Sequence, residues 1–156
     1  MEGIPLRMAR RGDLPSLHVL WQALLAEHAR LDPRLCVHPG AGTWLAAHLA
    51  EALGDPQRVL LVAEEGGRRV VGFVSARLLP EVPGEPREAE VGDCFVVPPR
   101  RRRGIARRLV QRALDLLQER GAQHARLQVA VRNPDALAFW RGLGFEPVET
   151  LLQRPA

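Results

Sequence analysis

The run Val96-Val97-Pro98-Pro99-Arg100-Arg101-Arg102-Arg103-Gly104-Ile105-Ala106-Arg107-Arg108-Leu109-Val110 joins an apolar segment to an amphipathic one. Gly104 and Ala106 stand at i and i+2 and leave the first helical turn nearly bare, so backbone N–H groups there can approach a bulky anion with no side chain in the way. The helix macrodipole has its positive end at the same place, and flanking guanidiniums can take phosphate oxygens in bidentate fashion. A pyrophosphate suits such a turn. Taken alone, the glycine is equally a tight strand-to-helix turn and the arginines a solvated charge run.

Working outward from this stretch, Glu90 to Val97 reads as a strand and Gly104 to Arg120 as a strongly periodic helix. Ala125 to Val131 follows as a strand, Pro134 to Leu143 as a helix and Phe145 to Gln153 as a last strand. Strands alternating with helices imply crossovers and at least two parallel neighbours. Upstream, Val59 to Glu64 and Val70 to Leu79 flank Glu65-Gly66-Gly67-Arg68, whose glycines suit a hairpin turn, so these two pair antiparallel. Before them, Ile4 to Ala9 reads as a short edge strand. Gly12-Asp13 caps a helix running to about Ala29. Past the breakers Pro33 and Pro39-Gly40, Thr43 can cap a second helix, ended by Gly54-Asp55-Pro56. The result is a mixed α/β sheet. Pro80 to Glu88, with three prolines and a glycine, is a mobile surface connection able to border a cleft.

The bulk numbers bound the rest. A chain of 156 residues is treated as one domain, and its 46% hydrophobic and 26% charged residues are globular composition. No apolar run approaches the roughly 20 residues of a membrane span, and Met1 to Pro5 resembles no secretory leader, so a cytoplasmic setting and no membrane partner are expected. Cys36 and Cys94 share no paired spacing, which argues against a disulfide framework or a zinc site. His28, His38, His48 and His124 have no ligand-like companions, and no metal is expected. The formal charge is +4 and every basic side chain is arginine, yet aromatics do not interleave with them as in nucleic-acid grooves, so no nucleic acid is expected as partner. A dinucleotide fingerprint lacks its glycine series, and a phosphate-loop motif lacks its lysine.

The pattern Arg101-x-x-Gly104-x-Ala106, preceded by Val96-x-Pro98, resembles the acyl-CoA-binding motif of the GNAT family of N-acetyltransferases. Some 30 residues on, Asn133-Pro134-Asp135-Ala136-Leu137-Ala138-Phe139-Trp140-Arg141-Gly142-Leu143-Gly144-Phe145 resembles that family's second signature. A mere turn gives no reason for the second pattern, and the two in this order outweigh either alone. The resemblance covers nearly the whole chain and is weakest in the first 85 residues. It implies a mixed six- or seven-stranded α/β sheet with helices on both faces and a splayed central parallel strand pair.

The resemblance further implies acetyl-CoA as cosubstrate. Its pyrophosphate would lie on the backbone N–H groups of Arg102, Arg103, Gly104, Ile105, Ala106 and Arg107, and its pantetheine arm would pair with the backbone of Cys94 and Val96. Arg101 belongs to the same motif, Asn133 would reach the cosubstrate, and Phe139 would pack on it or on the core. Arg100 and Arg108 are candidates for the adenosine phosphates. The gap that admits the pantetheine would open between the strands containing Cys94 and Val129. Many family members carry a tyrosine at the position of Trp140, placed to protonate the departing sulfur. This chain has no tyrosine, and an indole cannot release its proton at neutral pH.

An acceptor amine with a pKa of about 10.4 must lose a proton, at roughly 4 kcal/mol near pH 7.5. Asp93 and Glu90 are the candidate bases, placed on opposite faces of their strand by the alternation of side chains. Asp93 is preferred because a carboxylate is unusual in its apolar run, although a partnered structural acid explains it as well. Cys94 is read as a small core residue rather than a nucleophile. Glu81, Glu85 and Glu88 weakly suggest a cationic acceptor, with solvated loop charges as the commoner explanation. The expected activity is transfer of an acetyl group to a primary amine of a small molecule or protein. The rivals are a catalytically weak CoA-binding regulatory module and an arginine-rich nucleic-acid binder. A homodimer through strand edges near the carboxyl terminus is possible.

Overall fold

A computed structural model of the chain describes residues 3–35 and 40–156, so the expectations for Cys36, His38 and Pro39 lie outside the described residues. In chain order the elements are β1 (Leu6–Met8), α1 (Leu14–Leu31), α2 (Ala41–Ala52), β2 (Arg58–Glu65), β3 (Arg69–Leu78), β4 (Glu88–Val96), α3 (Ile105–Glu119), β5 (His124–Arg126) and α4 (Pro134–Gly142). The sheet order is β1-β2-β3-β4-β5. The first three pairings are antiparallel and the last is parallel. Gly66 and Gly67 both hold positive φ (63° and 73°) in the β2–β3 turn, the two left-handed positions that such a hairpin needs.

Helix α3 forms because Ile105, Leu109, Val110, Ala113 and Leu117 fall on one stripe, and all five are buried. They pack on one face of the sheet against Val59, Leu61, Val74 and Val91. Burying a leucine such as Leu109 or Leu117 is worth about 1.5–3 kcal/mol, which ties the helix start firmly to the end of β4. Its far end closes with Gly121 at φ 103° and the Ala122 N–H donating to the Leu117 carbonyl at 2.9 Å, a glycine-terminated stop. On the other face, Leu17, Trp21 and Leu24 of α1 and Leu45 and Leu49 of α2 pack against Leu60, Val62, Phe73 and Phe95. Helices therefore cover both faces, as expected, and none among the described residues is long and apolar enough to cross a membrane.

Several local expectations are corrected. Asp13 precedes α1 but makes no side-chain cap bond. Its carboxylate instead takes two bonds from the Arg7 guanidinium, at 2.7 and 2.9 Å, and one from the Arg10 N–H. Arg7 thereby holds the Asp13 carboxyl below the usual carboxylate range, against the upward push of burial. Helix α2 starts two residues before Thr43, which is exposed inside it. The strand expected over Ala125 to Val131 is only the three residues of β5, and the one expected over Phe145 to Gln153 is not formed. The sheet therefore has five strands among the described residues, rather than six or seven. After Phe145, half-buried against the α3 side, Val148, Leu151 and Leu152 are exposed and no neighbouring strand pairs with them.

Candidate active site

The pairing of β4 with β5 runs only over Glu88↔His124, Ala89↔Ala125 and Glu90↔Arg126, whereas β4 continues for six more residues to Val96. The two chains part there, leaving one edge of β4 without a strand partner. On the other edge the Val97 N–H donates to the Val71 carbonyl of β3 at 2.9 Å. Alternation along the ladder turns the backbone groups of Phe95 toward β3 and those of Cys94 and Val96 toward the open edge. The Val96 carbonyl there accepts a bond from the Arg101 guanidinium at 2.7 Å.

At the end of β4, Pro98 to Arg100 make a single tight turn, and two left-handed residues follow, Arg102 (φ 64°) and Gly104 (φ 76°). A side chain at Arg102 tolerates this conformation only with strain, a feature that clusters at ligand-binding loops. The N–H groups of Arg100 and Arg101 are used in the turn, and the first bond into α3 is from Arg108 to the Gly104 carbonyl at 3.0 Å. Between them, the six N–H groups from Arg102 to Arg107 have no hydrogen-bond partner among the described residues. A Cβ built on Gly104 would meet nothing within 4 Å. The start of α3 is thus a bare set of donors at the positive end of a 15-residue helix.

The arginines around it divide. Arg100 is committed to Glu65 at 2.7 and 3.0 Å. Arg101 reaches Glu27 of α1 at 2.8 Å and lies over the Phe95 ring, 5.1 Å from its centroid. Arg107 donates to the Gly142 carbonyl and Arg108 to the Ile4 carbonyl. Arg100 and Arg108, candidates for the adenosine phosphates, are occupied elsewhere, while Arg102 and Arg103 are exposed and make no ion pair among the described residues. Asn133 caps α4, its Oδ1 accepting from the Ala136 N–H at 3.1 Å, which leaves only its amide nitrogen to donate. Phe139 and Trp140 are half-buried and meet edge to face at 4.9 Å, and Trp140 meets Phe145 in the same way at 5.6 Å. Trp140 is a packing residue on the α3 side.

Asp93 and Glu90 do not lie on opposite faces. The β3–β4 register shifts between Val74↔Cys94 and Ala76↔Val91, so Gly92 and Asp93 together oppose Ser75. Before this bulge Ala89 and Val91 face α3, and after it Cys94 and Val96 do. The extra residue resets the alternation and puts Glu90 and Asp93 both on the α1/α2 face. Glu90 is paired with Arg77 at 3.0 Å and with Arg126 at 3.8 Å. Asp93 has no such partner: none of the ion pairs among the described residues includes it, and its Oδ2 accepts one bond, from the Trp21 indole N–H at 2.9 Å. Burial raises the Asp93 carboxyl above its ordinary range, partly countered by the Trp21 bond and by the fields of His28 and His48. Burial pushes the Cys94 thiol up to about 12, helped by Asp93, so it is no thiolate nucleophile.

The sequence reading missed Trp21 and His48. Which side chains meet Asp93 depends on a bulge with no signal in the sequence beyond Gly92. His48 is half-buried beside Trp21, ring centroids 6.3 Å apart, and burial followed by the Arg58 charge lowers its pKa. The acidic loop is mostly neutralised, since Glu81 pairs with Arg87 and Glu88 with Arg126. Two cavities, of about 190 Å³ beside Met8 and Arg120 and about 140 Å³ between Gln22 and Leu45, share no residue with the donors of Arg102 to Arg107. Among the described residues no cluster of His, Cys, Asp and Glu could hold a metal.

A sequence profile described as the Acetyltransferase (GNAT) family matches residues 21–145, which spans the Trp21 helix, the bulged strand, the donor turn and Phe145. The chain belongs to the GNAT family. Among curated relatives, the mycothiol acetyltransferase of Segniliparus rotundus is 34% identical over 69% of this chain and 42% of its own length. That of Rhodococcus jostii is 33% identical over 72% of this chain and 39% of its own length. The chain thus spans about two fifths of these relatives. Among solved structures, a tetramutant of the BH1408 protein of Bacillus halodurans superposes with a TM-score of 0.84 at 17% identity, covering 97% of this chain and 99% of that one. An aminoglycoside N-acetyltransferase in complex with CoA superposes with a TM-score of 0.76 at 21% identity, covering 97% and 93%. At these identities the likeness shows the GNAT fold.

Proposed function

We propose that this GNAT chain transfers an acetyl group from acetyl-CoA to a primary amine by direct attack in a ternary complex. The observation that carries the reading is the row of six unpartnered N–H groups from Arg102 to Arg107, beside the open edge of β4. Unused donors at a helix N-terminus suit a pyrophosphate, and the exposed Arg102 and Arg103 add charge there. The N–H groups of Cys94 and Val96 on the open edge suit an amide-bearing arm laid alongside β4. The CoA complex of the aminoglycoside N-acetyltransferase of the same fold agrees with this choice of cosubstrate. The cosubstrate supplies the acetyl thioester; holding it and deprotonating the amine fall to the protein.

Asp93 is the base in this reading. A cationic amine entering from the α1/α2 face would meet a half-buried carboxylate with no ion-pair partner among the described residues. Asp93 would first take one ammonium proton, freeing the nitrogen lone pair to form the C–N bond, and as the C–S bond breaks the second nitrogen proton would pass to the departing sulfur or to solvent. Burial makes the carboxylate a better proton acceptor than an exposed one. Glu90, held by two arginines, serves in shaping the floor. With Trp140 packed between Phe139 and Phe145, no side-chain acid is assigned to the sulfur; a thiolate of ordinary pKa near 8.5 leaves without one. A homodimer is part of the proposal, since a second copy would cover the exposed Val148, Leu151 and Leu152.

The test is thiol release from acetyl-CoA across a panel of primary amines, with CoA binding measured separately for Gly104→Glu. Amine-dependent release in the parent and lost CoA binding in the variant are expected. CoA affinity untouched by Gly104→Glu refutes the site.

A further inference from the structure

The tip of the β2–β3 hairpin is fixed beside the start of α3. Glu65, the last residue of β2, takes the Arg100 guanidinium on both carboxylate oxygens, at 2.7 and 3.0 Å, and the Val97 N–H ties the end of β4 to the Val71 carbonyl of β3. Arg69, the first residue of β3, stands directly across the ladder from Glu65. The Arg100 bond holds the Glu65 carboxyl below its ordinary range against the push of burial, and the charges of Arg100, Arg69 and Arg103 act in the same direction. Arg69 and Arg103 are therefore within electrostatic reach of one carboxylate that is already taken. Both are exposed, and neither makes an ion pair or a side-chain hydrogen bond among the described residues. The neighbouring acid, Glu64, is bound to Arg7. Three guanidiniums around one carboxylate leave two positive charges without an anion.

Exposed arginines at a hairpin tip have an ordinary explanation, charges that water solvates. Two observations count against it here. Arg103 lies inside the row of unpartnered N–H groups, between the left-handed residues Arg102 and Gly104, so its backbone belongs to the anion cradle while its guanidinium charge is felt at Glu65. Arg69 comes to the same corner from a different element, held there by the register of the hairpin and by the Glu65–Arg100 pair. The two free charges thus adjoin the donors of Arg102 to Arg107.

Beyond its pyrophosphate, CoA carries a phosphomonoester on the 3′ carbon of its ribose, one sugar away. A phosphomonoester has about −1.5 to −2 charge near pH 7 and three acceptor oxygens, which two guanidiniums can match in charge and in fork geometry. We propose that Arg69 and Arg103 hold the 3′-phosphate of the cosubstrate and make this chain selective for CoA thioesters over their dephospho forms. This rests on placing acetyl-CoA at the donor row and adds the side chains that read its third phosphate. Arg100 is a positioning residue: bound to Glu65, it keeps the hairpin tip, and Arg69 with it, beside the cradle.

The experiment is titration calorimetry of the full chain with CoA and with dephospho-CoA, for the parent, Arg69→Ala, Arg103→Ala, the double variant and Arg112→Ala, the last an exposed arginine of α3 that removes the same charge elsewhere. The parent is expected to bind CoA about tenfold more tightly than dephospho-CoA, the worth of two exposed charge pairs at about threefold each. Each single variant should cut that preference about threefold, the double variant should abolish it, and Arg112→Ala should keep it. Dephospho-CoA should bind the double variant within about twofold of the parent, which shows an intact fold and donor row. Equal affinity of the parent for both ligands, a preference that survives the double variant, or an equal loss in Arg112→Ala overturns the inference and leaves the acetyl-CoA site standing. A double variant that loses dephospho-CoA as strongly as CoA also overturns it, since the two arginines then serve the pyrophosphate or the fold. Binding of neither ligand by the folded parent overturns the inference and the cosubstrate site together.

Discussion

Trp21→Phe isolates the one bond made to the Asp93 carboxylate among the described residues. The indole N–H lies 2.9 Å from Oδ2, inside the core between α1 and the sheet. Phenylalanine keeps a ring against Phe73, now 4.8 Å away at 33°, but removes the donor. A hydrogen bond to a charged group is worth about 1.5–3 kcal/mol. One pKa unit corresponds to about 1.36 kcal/mol, so losing the bond should raise the Asp93 pKa by roughly one to two units beyond the rise that burial already causes. If Asp93 takes the proton of an incoming ammonium, kcat/KM falls on the acid side as Asp93 becomes protonated in the free enzyme. The assay is thiol release from acetyl-CoA at limiting amine, over pH 4.5 to about 9, where the amine itself stays protonated. The acid limb should move to higher pH by about one to two units in Trp21→Phe, the lower figure if water replaces the indole. A limb that stays in place in a folded variant shows that the titrating group is not Asp93, and the assignment of the base fails with it.

Asp93→Asn should lower kcat/KM by about 10²- to 10⁴-fold, the usual worth of a general base, and yet raise the melting temperature at pH 7. The sign follows from the raised pKa: the folded state resists ionising Asp93, so stability falls as pH rises through the carboxyl range, and an amide that still accepts from Trp21 avoids that loss. A lower melting temperature would point to a structural acid instead. Glu90→Gln should change kcat/KM by less than about fivefold, because its arginine pairs are partly exposed and worth about 1 kcal/mol or less; a loss comparable to that of Asp93→Asn exchanges the two roles. Gly104→Ala should keep CoA binding within a few-fold in titration calorimetry while costing about 1–2 kcal/mol of stability, since the site is open but its φ of 76° disfavours a Cβ. Abolished binding would mean that space, not conformation, makes this glycine necessary. Asp32, held at about 2 chiefly by the Arg34 bond, contributes stability present above pH ~4 and lost as pH falls toward 2, so melts of the parent and Asp32→Asn should converge over that window.

The parts of this fold that were legible in the sequence are those set by local pattern. The five buried positions of α3, the Gly66-Gly67 turn and the start of α4 at Pro134 all act within a few residues of themselves, and each element stands where spacing puts it. The donor turn was legible because a bare Gly104-x-Ala106 start is a statement about the backbone alone. What was not legible depends on partners far along the chain. Asp13 looks like a helix cap until Arg7 competes for it, and a bidentate guanidinium outbids two backbone donors. The strands expected over Ala125 to Val131 and Phe145 to Gln153 have the composition of strands but no edge to pair with in one chain. Strand propensity reports how a side chain fits a pleated surface, not whether that surface is present.

The bulge at Gly92-Asp93 matters most, because one residue of register decides the chemistry. Without it, strand alternation would put Glu90 and Asp93 on opposite faces, and with the β4 end fixed by Cys94 and Val96 under α3, Glu90 would face α3. The inserted residue keeps both ends of β4 buried on the α3 side and presents both carboxylates to α1 and α2. It also brings the Asp93 N–H onto the Ser75 Oγ at 3.1 Å, a side-chain acceptor standing in where the ladder bond is broken, and leaves Gly92 so close to Ser75 that a Cβ there would lie 2.9 Å from its hydroxyl. Gly92 and Ser75 are therefore the residues that permit the bulge, and in the proposed reaction the bulge would turn Asp93 to the α1/α2 face for the amine while the edge left open beyond Glu90 would take the cosubstrate. The two substrates of the proposed reaction would then meet at a single strand, with the acid and the thioester positioned by the same few residues of backbone.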